Sequence, residues 1–543
     1  MTDRSLAELL RAAEPQTPRA LGHLVDRLGA DGSIRGARLD GRAIGPAALA
    51  DVPVRGVTQD SRSVASGNLF VAVRGLHVDG HEFVAAAAAR GAAAAIVERP
   101  VPEVALPQVV VGSSTIALAR AAVWWYGDPS HELAVVGVTG TDGKTTTSLL
   151  AVAALEASGF RTGLVSTAVS RIGGVSEPNA AHATTPEAPA LQAALRAMDV
   201  AGDRAAVIET TSHGLALHRV DGIAYDVAIL TNLTHEHLEL HGTWEAYRDA
   251  KLSLFERLAA RRPAKDGAPA WPRTGIVNLD DPSAGAFIGV TQEAGAQVVT
   301  YGTDPAADVR ASRVEEDARG LRIAYTAPSG AATLELRLAG RFNVHNALAI
   351  VALGEAIGLD AEAVRRGLAS VERVPGRMER IELGQPFGVI VDYAHSPASL
   401  ATVLDLLAPV AASRGGGLIA VFGSAGERDT AKRPLMGRIA GERCRLVVVT
   451  DEDPRGEDRE AILEAIARGA EAAGRRRGHD LLLIANRPAA IEAAFERARP
   501  GDVVLLAGKG HEASIIGPAG PEPYDERAIA LDALARLGYE AGS

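Results

Sequence analysis

Along most of the chain, apolar residues come in short unbroken runs that stop at a polar or glycine-rich cluster and give way to a longer segment with helical spacing. Runs of this kind predict strands buried on both faces, and their alternation with helices predicts mainly parallel sheets covered on both sides. The expected fold class is therefore α/β. Between residues 131 and 372 the pattern predicts strands at 134–138, 163–166, 206–209, 227–231, 274–278 and 297–301. A second series, with strands at 387–392, 417–422, 446–450, 481–484 and 503–507, begins after Val374, where Pro375-Gly376-Arg377-Met378-Glu379-Arg380 makes a natural hinge. A smaller unit precedes both, with a strand-turn-strand pattern over 56–73, an alanine-rich helix over 84–90, strands at 94–97 and 109–111, and a helix over 115–126. Residues 1–50 show one helical pattern, at Leu6, Leu9 and Leu10, and no clear period after it. The expected organisation is a small N-terminal α/β domain (1–130), a central phosphate-loop domain built on a parallel sheet (131–373) and a C-terminal Rossmann-like domain (374–543).

Polar clusters fall where the strands end, which in such sheets is where ligands bind. The sharpest is Val135 to Leu150, a buried strand, a turn holding Gly140 and Gly143, and then a helix. Glycines there let backbone N–H groups cradle phosphate oxygens beside a helix N-terminus, Lys144 can reach the terminal phosphates, and the Thr145 hydroxyl can hold Mg²⁺. The strict phosphate-loop pattern wants glycine at 138, where this chain has Val138, so the loop is a TG-x-x-GKT variant. Thr184-Thr185-Pro186, Glu209-Thr210-Thr211-Ser212-His213-Gly214 and Thr231-Asn232-Leu233-Thr234-His235-Glu236-His237 follow at later strand ends or loops. The histidines and glutamates from His235 to His241 have no cysteine beside them and fit neither finger spacing nor H-E-x-x-H, so zinc is not expected. In the last unit the clusters are Asp392-Tyr393-Ala394-His395, the loop from Gly423 to Asp429, Asp451-Glu452-Asp453-Pro454-Arg455, and Gly508-Lys509-Gly510-His511-Glu512.

Composition narrows this picture. A chain of 543 residues is too long for one core and suggests three or four domains of roughly 100–200 residues. Its net charge of -11 argues against nucleic acid as a partner, and Arg475-Arg476-Arg477 reads as a solvated loop. Cys444 is the only cysteine, which excludes an intrachain disulfide and suits a reducing compartment. The start, Met-Thr-Asp-Arg-Ser-Leu-Ala-Glu, reads as no signal peptide, and the alanine-dominated run Phe83 to Val97 is too short and too interrupted to span a bilayer. No membrane partner is expected.

Together, and in this order, the motifs resemble one family, the Mur ligases. Asp60-Ser61-Arg62, Gly67-x-Leu-Phe-Val-Ala and Asp79-Gly80 are similar to its uridine-nucleotide-binding unit. Gly140 to Thr146, Glu209-x-x-Ser212-His213-Gly214, Thr231-Asn232-Leu233 with His237, Lys251, and Phe342-Asn343-x-x-Asn346 are similar to its ATPase unit. Pro375 to Arg380, Asp392-Tyr393-Ala394-His395, the Arg428 loop, Asp453-Pro454-Arg455 and Gly508 to Glu512 are similar to its amino-acid-binding unit. The resemblance spans roughly residues 55–535.

It implies an ATP-dependent ligase of peptidoglycan precursor synthesis that adds the third stem-peptide residue to UDP-N-acetylmuramoyl-L-alanyl-D-glutamate through an acyl phosphate. Lys144, Glu209, His237 and Lys251 would be catalytic, with Mg²⁺ held by Thr145, Glu209, His237 and Lys251, the lysine as its carbamate. Local sequence alone would read Lys251 as a helix-surface lysine. ATP would meet Gly140, Thr141, Asp142, Gly143, Lys144, Thr145, Thr146, Asn343, Asn346, Arg377, Asp392 and His395. Ser61 and His77 would lie near the uridine, and Thr184, Thr185, Thr211 and Arg219 along the sugar and peptide. The incoming amino acid would meet Arg428, Glu452, Asp453, Pro454, Arg455, Gly508 and Glu512. Its partners would be these small molecules, its location the cytoplasm, its state a monomer.

Several positions depart from the family pattern. Asp142 replaces an asparagine, His235-Glu236 replaces Arg-Asp, Leu217 stands where glutamine is frequent, and Thr210-Thr211 where Val-Ser is. A carboxylate at 142 facing polyphosphate is unfavourable unless it meets the metal or turns outward. Arg455 suits the far carboxylate of meso-2,6-diaminopimelate, whereas Asp453 in place of asparagine would repel that carboxylate or pair with the ammonium of L-lysine or L-ornithine. Relatives sharing only the central unit, folylpolyglutamate and cyanophycin synthetases, are the alternative, and a nucleotide switch without chemistry is another. The Asp-Ser-Arg unit argues against the first, and Glu209, His237 and Lys251 together argue against the second.

Overall fold

In the computed structural model, residues 4–75, 78–179, 183–234, 241–259, 269–317 and 320–540 are described. Three sheets follow one another along the chain. The first has six strands, of which 56–58, 68–71, 94–97 and 108–111 run parallel, while the hairpin 34–39/42–44 is added antiparallel at the 108–111 edge. That hairpin and the helix Leu21–Ala30 before it lie in the segment where the sequence shows no period. Leu21, Leu24, Val25 and Leu28 of the helix are buried in the core of this domain.

The central sheet has eleven strands. Its parallel middle takes the strands beginning at 162, 205, 134, 227, 274, 297 and 309 in that spatial order. Antiparallel strands extend both edges, 169–172 and 175–178 on one side and 320–327 and 330–336 on the other, and these additions are not in the predicted pattern. Helices cover both faces and give two separate apolar cores. Strand Ala134–Thr139 carries the phosphate loop and lies between Ala205–Glu209 and Val227–Leu230, the point at which the chain reverses its direction of winding. A crevice opens there at the strands' C-terminal ends.

The third sheet has six strands, in the order 379–381, 388–392, 503–507, 418–422, 446–449, 481–483, with only the first antiparallel. One element departs from this succession. Helix Leu6–Ala12 packs Leu6 and Leu9 into the core of the central sheet beside Leu133, Leu195 and Met198, so the chain starts on the central domain before entering the first. Among the described residues no helix is long and apolar enough to cross a membrane.

Candidate active site

Helix Lys144–Ala157 begins directly after Gly143, whose φ of +79° lies in the left-handed region, and Gly140 has φ +148°. A Cβ at 143 would meet Asn346 Oδ1 at 2.5 Å and one at 140 would collide with Thr231 Oγ1, so both positions need glycine for close approach. The loop is pinned from the neighbouring strand end: Thr141 N donates to Asn232 O at 2.8 Å, Asp142 N to Asn232 Oδ1 at 3.0 Å, and Thr231 Oγ1 to Asp142 O at 2.6 Å. Asp142 itself is exposed. Lys144 Nζ donates to Gly140 O (3.0 Å) and Thr141 O (2.7 Å), folded over the loop that it follows. Asn346 accepts from Thr147 Oγ1 and donates to Asn343 Oδ1, so both asparagines stand against the first turn of the helix.

Glu209, at the end of its strand, is fully buried. It accepts from Thr167 N (3.2 Å) and Thr167 Oγ1 (2.9 Å), and Thr145 stands close by. Burial pushes its carboxyl upward, against the opposing pull of Lys144, the Thr167 bond and Arg377. Around it Thr167 and Thr184 hydroxyls are 2.9 Å apart, Thr185 Oγ1 donates to Glu209 O, Thr185 and Thr211 hydroxyls are 3.0 Å apart, and Arg219 Nη1 donates to Thr185 O at 2.9 Å. Thr184, Thr185, Thr211 and Arg219 thus line one wall. Thr167 joins them and sequence reasoning omits it; its place just past strand Thr162–Val165 is the signal that could find it.

Lys251 is not a surface lysine. Helix Trp244–Glu256 buries it to 1% exposure, with Nζ donating to Gly140 O at 2.7 Å and lying 4.6 Å from the Tyr247 ring centre. The local reading fails because the helix turns this face onto the phosphate loop. His77, His235, Glu236 and His237 lie outside the described residues. Ser61 stands apart from this cluster, in the single turn Ser61–Ser63 that Asp60 caps after strand Gly56–Thr58.

Arg377 of the third domain is close enough to act electrostatically on Glu209, and Asp392 of that domain feels Asp142 of the phosphate loop. Asp392 is buried and accepts from Met378 N and Ala394 N at 2.8 and 2.9 Å; its carboxyl is raised by burial, with Arg377 opposing. Arg377 stacks 4.8 Å over the Tyr393 ring, and His395 Nδ1 is 2.8 Å from Tyr393 O. Arg377 and Asp392 therefore lie at the seam between the two domains, while His395 contacts Tyr393 within the third.

The loops expected to meet the amino acid rise from the remaining strand ends of that sheet. Gly508, with φ +102°, brings its backbone against Glu452, where a Cβ would lie 3.1 Å from Glu452 Oε2. That oxygen and Arg455 Nε are buried without a hydrogen-bond partner among the described residues. Arg428 is exposed at a loop tip, Pro454 is buried, and Glu512 Oε1 accepts from Tyr393 OH at 3.2 Å. Asp453 corrects an expectation. Its Oδ1 accepts from buried Lys509 Nζ at 2.8 Å and from Ile516 N at 2.9 Å, and Lys509 also pairs with Glu512 at 2.5 Å, so the extra charge is met inside the protein.

The oxygen-rich surroundings of Thr145 and Glu209 suit Mg²⁺, a hard cation that takes one or two protein oxygens and completes its shell with phosphate and water. A buried carboxylate whose charged form is disfavoured by desolvation fits a cation partner. Among the described residues no group of three or more His, Cys, Asp or Glu side chains could hold a metal without such help.

Three family models match the chain: the Mur ligase family catalytic domain over 53–123, the Mur ligase middle domain over 138–354, and the Mur ligase glutamate ligase domain over 376–510. A UDP-N-acetylmuramyl-tripeptide synthetase of Roseiflexus sp. (strain RS-1) is 51% identical over 494 residues, covering 90% of this chain and 95% of its own. A UDP-N-acetylmuramoyl-L-alanyl-D-glutamate--2,6-diaminopimelate ligase of Geobacter metallireducens is 40% identical, covering 89% and 94%. A solved structure of a ligase with that same description superposes with a TM-score of 0.59 at 31% identity, over 90% of this chain and 96% of the other.

Proposed function

This chain belongs to the Mur ligase family, and we propose that it joins meso-2,6-diaminopimelate to UDP-N-acetylmuramoyl-L-alanyl-D-glutamate, with ATP cleavage, in peptidoglycan precursor synthesis. The observation that carries this reading is the convergence of Lys144, Glu209 and Lys251 on the phosphate loop, opposite Arg377 and Asp392 of the domain that bears the amino-acid loops.

A carboxylate does not react with an amine until one of its oxygens becomes a leaving group. The D-glutamyl carboxylate would attack the γ-phosphorus of ATP, ADP would leave, and the amine would then attack the acyl carbon and expel phosphate. Two anions must approach in the first step, so its barrier is largely electrostatic. Lys144 would leave its carbonyl contacts for the phosphates, and the N–H groups of Gly140 to Thr146 would hold them. Mg²⁺ would neutralise phosphate charge, held by Thr145 and Glu209, with a second ion at His237 and a Lys251 carbamate. Asn343, Asn346, Arg377, Asp392 and His395 would surround the nucleotide as the third domain closes. Thr184, Thr185, Thr211 and Arg219 would direct the dipeptide toward Glu209, with Ser61 and His77 of the first domain at the uridine end.

For the amino acid, Arg428, Arg455 and Lys509 stand against Glu452, Asp453 and Glu512, a balance suited to a zwitterion. With Asp453 already met by Lys509, the unpartnered Arg455 Nε and Glu452 Oε2 remain for a carboxylate and an ammonium. This favours meso-2,6-diaminopimelate over L-lysine or L-ornithine. All site residues come from one chain, so a monomer would suffice, and ATP with a UDP-linked precursor would place the reaction in the cytoplasm. Phosphate release with ATP, Mg²⁺ and the UDP-dipeptide, compared across the three amino acids, tests the reading. A tenfold preference in kcat/KM for lysine or ornithine, about 1.4 kcal/mol in transition-state binding, would overturn the choice of amino acid, and no turnover with any of them would overturn the function.

A further inference from the structure

Arg487 opens the helix Arg487–Glu496 and is completely buried. Its guanidinium makes a paired contact with Glu526, Nη2 to Oε1 at 2.6 Å and Nε to Oε2 at 2.9 Å, and Glu526 also accepts from Tyr524 OH. The remaining donors go to main chain: Nη1 to Asp451 O at 3.0 Å and Nη2 to Ala507 O at 2.7 Å. Those two carbonyls belong to the residues immediately before Glu452 and Gly508.

The strands that lead to these loops, Leu446–Val449 and Val503–Ala507, are not neighbours, because Leu418–Phe422 lies between them. Each pairs with that middle strand, so no ladder joins the two directly. Lys509 reaches across the gap to Asp453, and Arg487 bonds main chain at both strand ends, while Gly508 presses its backbone against the buried, unpartnered Glu452 Oε2. Stability alone does not call for this arrangement, since a buried ion pair replaced by apolar groups of similar size is often neutral in stability. A planar group with donors in fixed directions does, however, set geometry.

We propose that Arg487, held by Glu526, is a positioning residue of the amino-acid site that fixes the Glu452 loop against Gly508. The inference rests on the ligase reading above. Steady-state KM values for ATP, the UDP-dipeptide and meso-2,6-diaminopimelate, with thermal melting of each protein, test it in wild type, R487K and the double variant R487M/E526Q. The double variant removes both charges and leaves no lone buried ion, while the amide oxygen that E526Q introduces can still accept from Tyr524. Wild type must form the UDP-tripeptide; if it does not, the ligase reading fails, whatever the variants do. Given wild-type turnover, the amino-acid KM is expected to rise at least tenfold in R487M/E526Q and by a smaller factor in R487K, which can reach only part of the same acceptors. The other two KM values should stay within twofold. If all three KM values stay within twofold, or all three rise together, Arg487 is structural only and the inference is overturned. Should the double variant fail to fold, R487K alone decides by the same split.

Discussion

The phosphate loop of the central domain and the amino-acid loops of the third both rise from the C-terminal ends of parallel strands, yet they are built on opposite plans. The first is made of main chain. Gly140 and Gly143 bring backbone close, Thr231 and Asn232 pin it from the next strand, and Lys144 follows directly in sequence. The second is made of side chains paired across long separations: Lys509 with Asp453, Arg433 with Glu457, Arg487 with Glu526. A loop made of backbone presents N–H groups whatever its side chains are, whereas loops held by ion pairs carry a particular charge arrangement, which the proposed selection among amino acids would use. The difference also decides how each region fails when one residue is changed.

The largest effect should come from Lys144→Ala. It removes the one cation that the loop itself supplies and should cost at least about 10²–10³-fold in kcat, with melting temperature unchanged. Near-normal phosphate release would break the comparison at its first term. Next, Lys251→Ala should be inactive and recover in part with added short carboxylates that stand in for a carbamate oxygen. An unmodified Lys251 mass on native protein, together with full activity of the variant, would sink that role.

On the other side, Lys509→Met leaves Asp453 and Glu512 as buried acids without their cation and should destabilise the third domain by about 3–5 kcal/mol. At roughly 2–4 °C per kcal/mol for a domain of this size, calorimetry would resolve it, while nucleotide affinity measured below the transition should hold within twofold. If melting is unmoved, the ion pairs are not what holds these loops. The smallest effect concerns Cys444, buried in the same domain with its thiol pushed up to about 12 by burial. Native protein should react with a thiol reagent only as the domain opens, faster in the Lys509 variant than in wild type. Because the folded protein holds that proton more tightly than the unfolded chain, this group's contribution to stability falls as pH rises above the ordinary thiol range near about 8.5. Immediate labelling of native wild type would contradict the burial.

The same contrast explains what the sequence discloses. Gly140 to Thr146 is legible because its spacing is its geometry, and the strand ends at Glu209 and Asp392 are legible because apolar runs stop there. Lys251 shows as a site residue only through motif order, since nothing in Tyr-Arg-Asp-Ala-Lys says which helix face is covered. Lys509 and Asp453 lie 56 positions apart and Arg487 and Glu526 lie 39 apart, and no local period joins such pairs. In the first fifty residues, Leu21, Leu24, Val25 and Leu28 do have helical spacing, but Gly22 and Gly29, poor helix formers, weaken the reading. The antiparallel edges of the central sheet are missed for another reason. Val169–Ile172 and Val175–Pro178 are four residues each with one buried position between them, so neither reads as an apolar run.

The helix Leu6–Ala12 has a mechanical consequence. Ser130 Oγ, accepting from Ala224 N at 2.9 Å, and Leu133 tie the chain to the central domain where it leaves the first, and Leu6 and Leu9 tie it there before it enters. The first domain is thus a closed excursion with two moorings on one body. Between the moorings the domain also rests on the body itself, with Ala119 and Ala122 packed on Ala188 and Arg196 donating to Tyr126 O and Gly127 O. A cut in the stretch Glu14 to Pro18 would therefore release one mooring and leave that packed face, and every residue of the domain's core, in place.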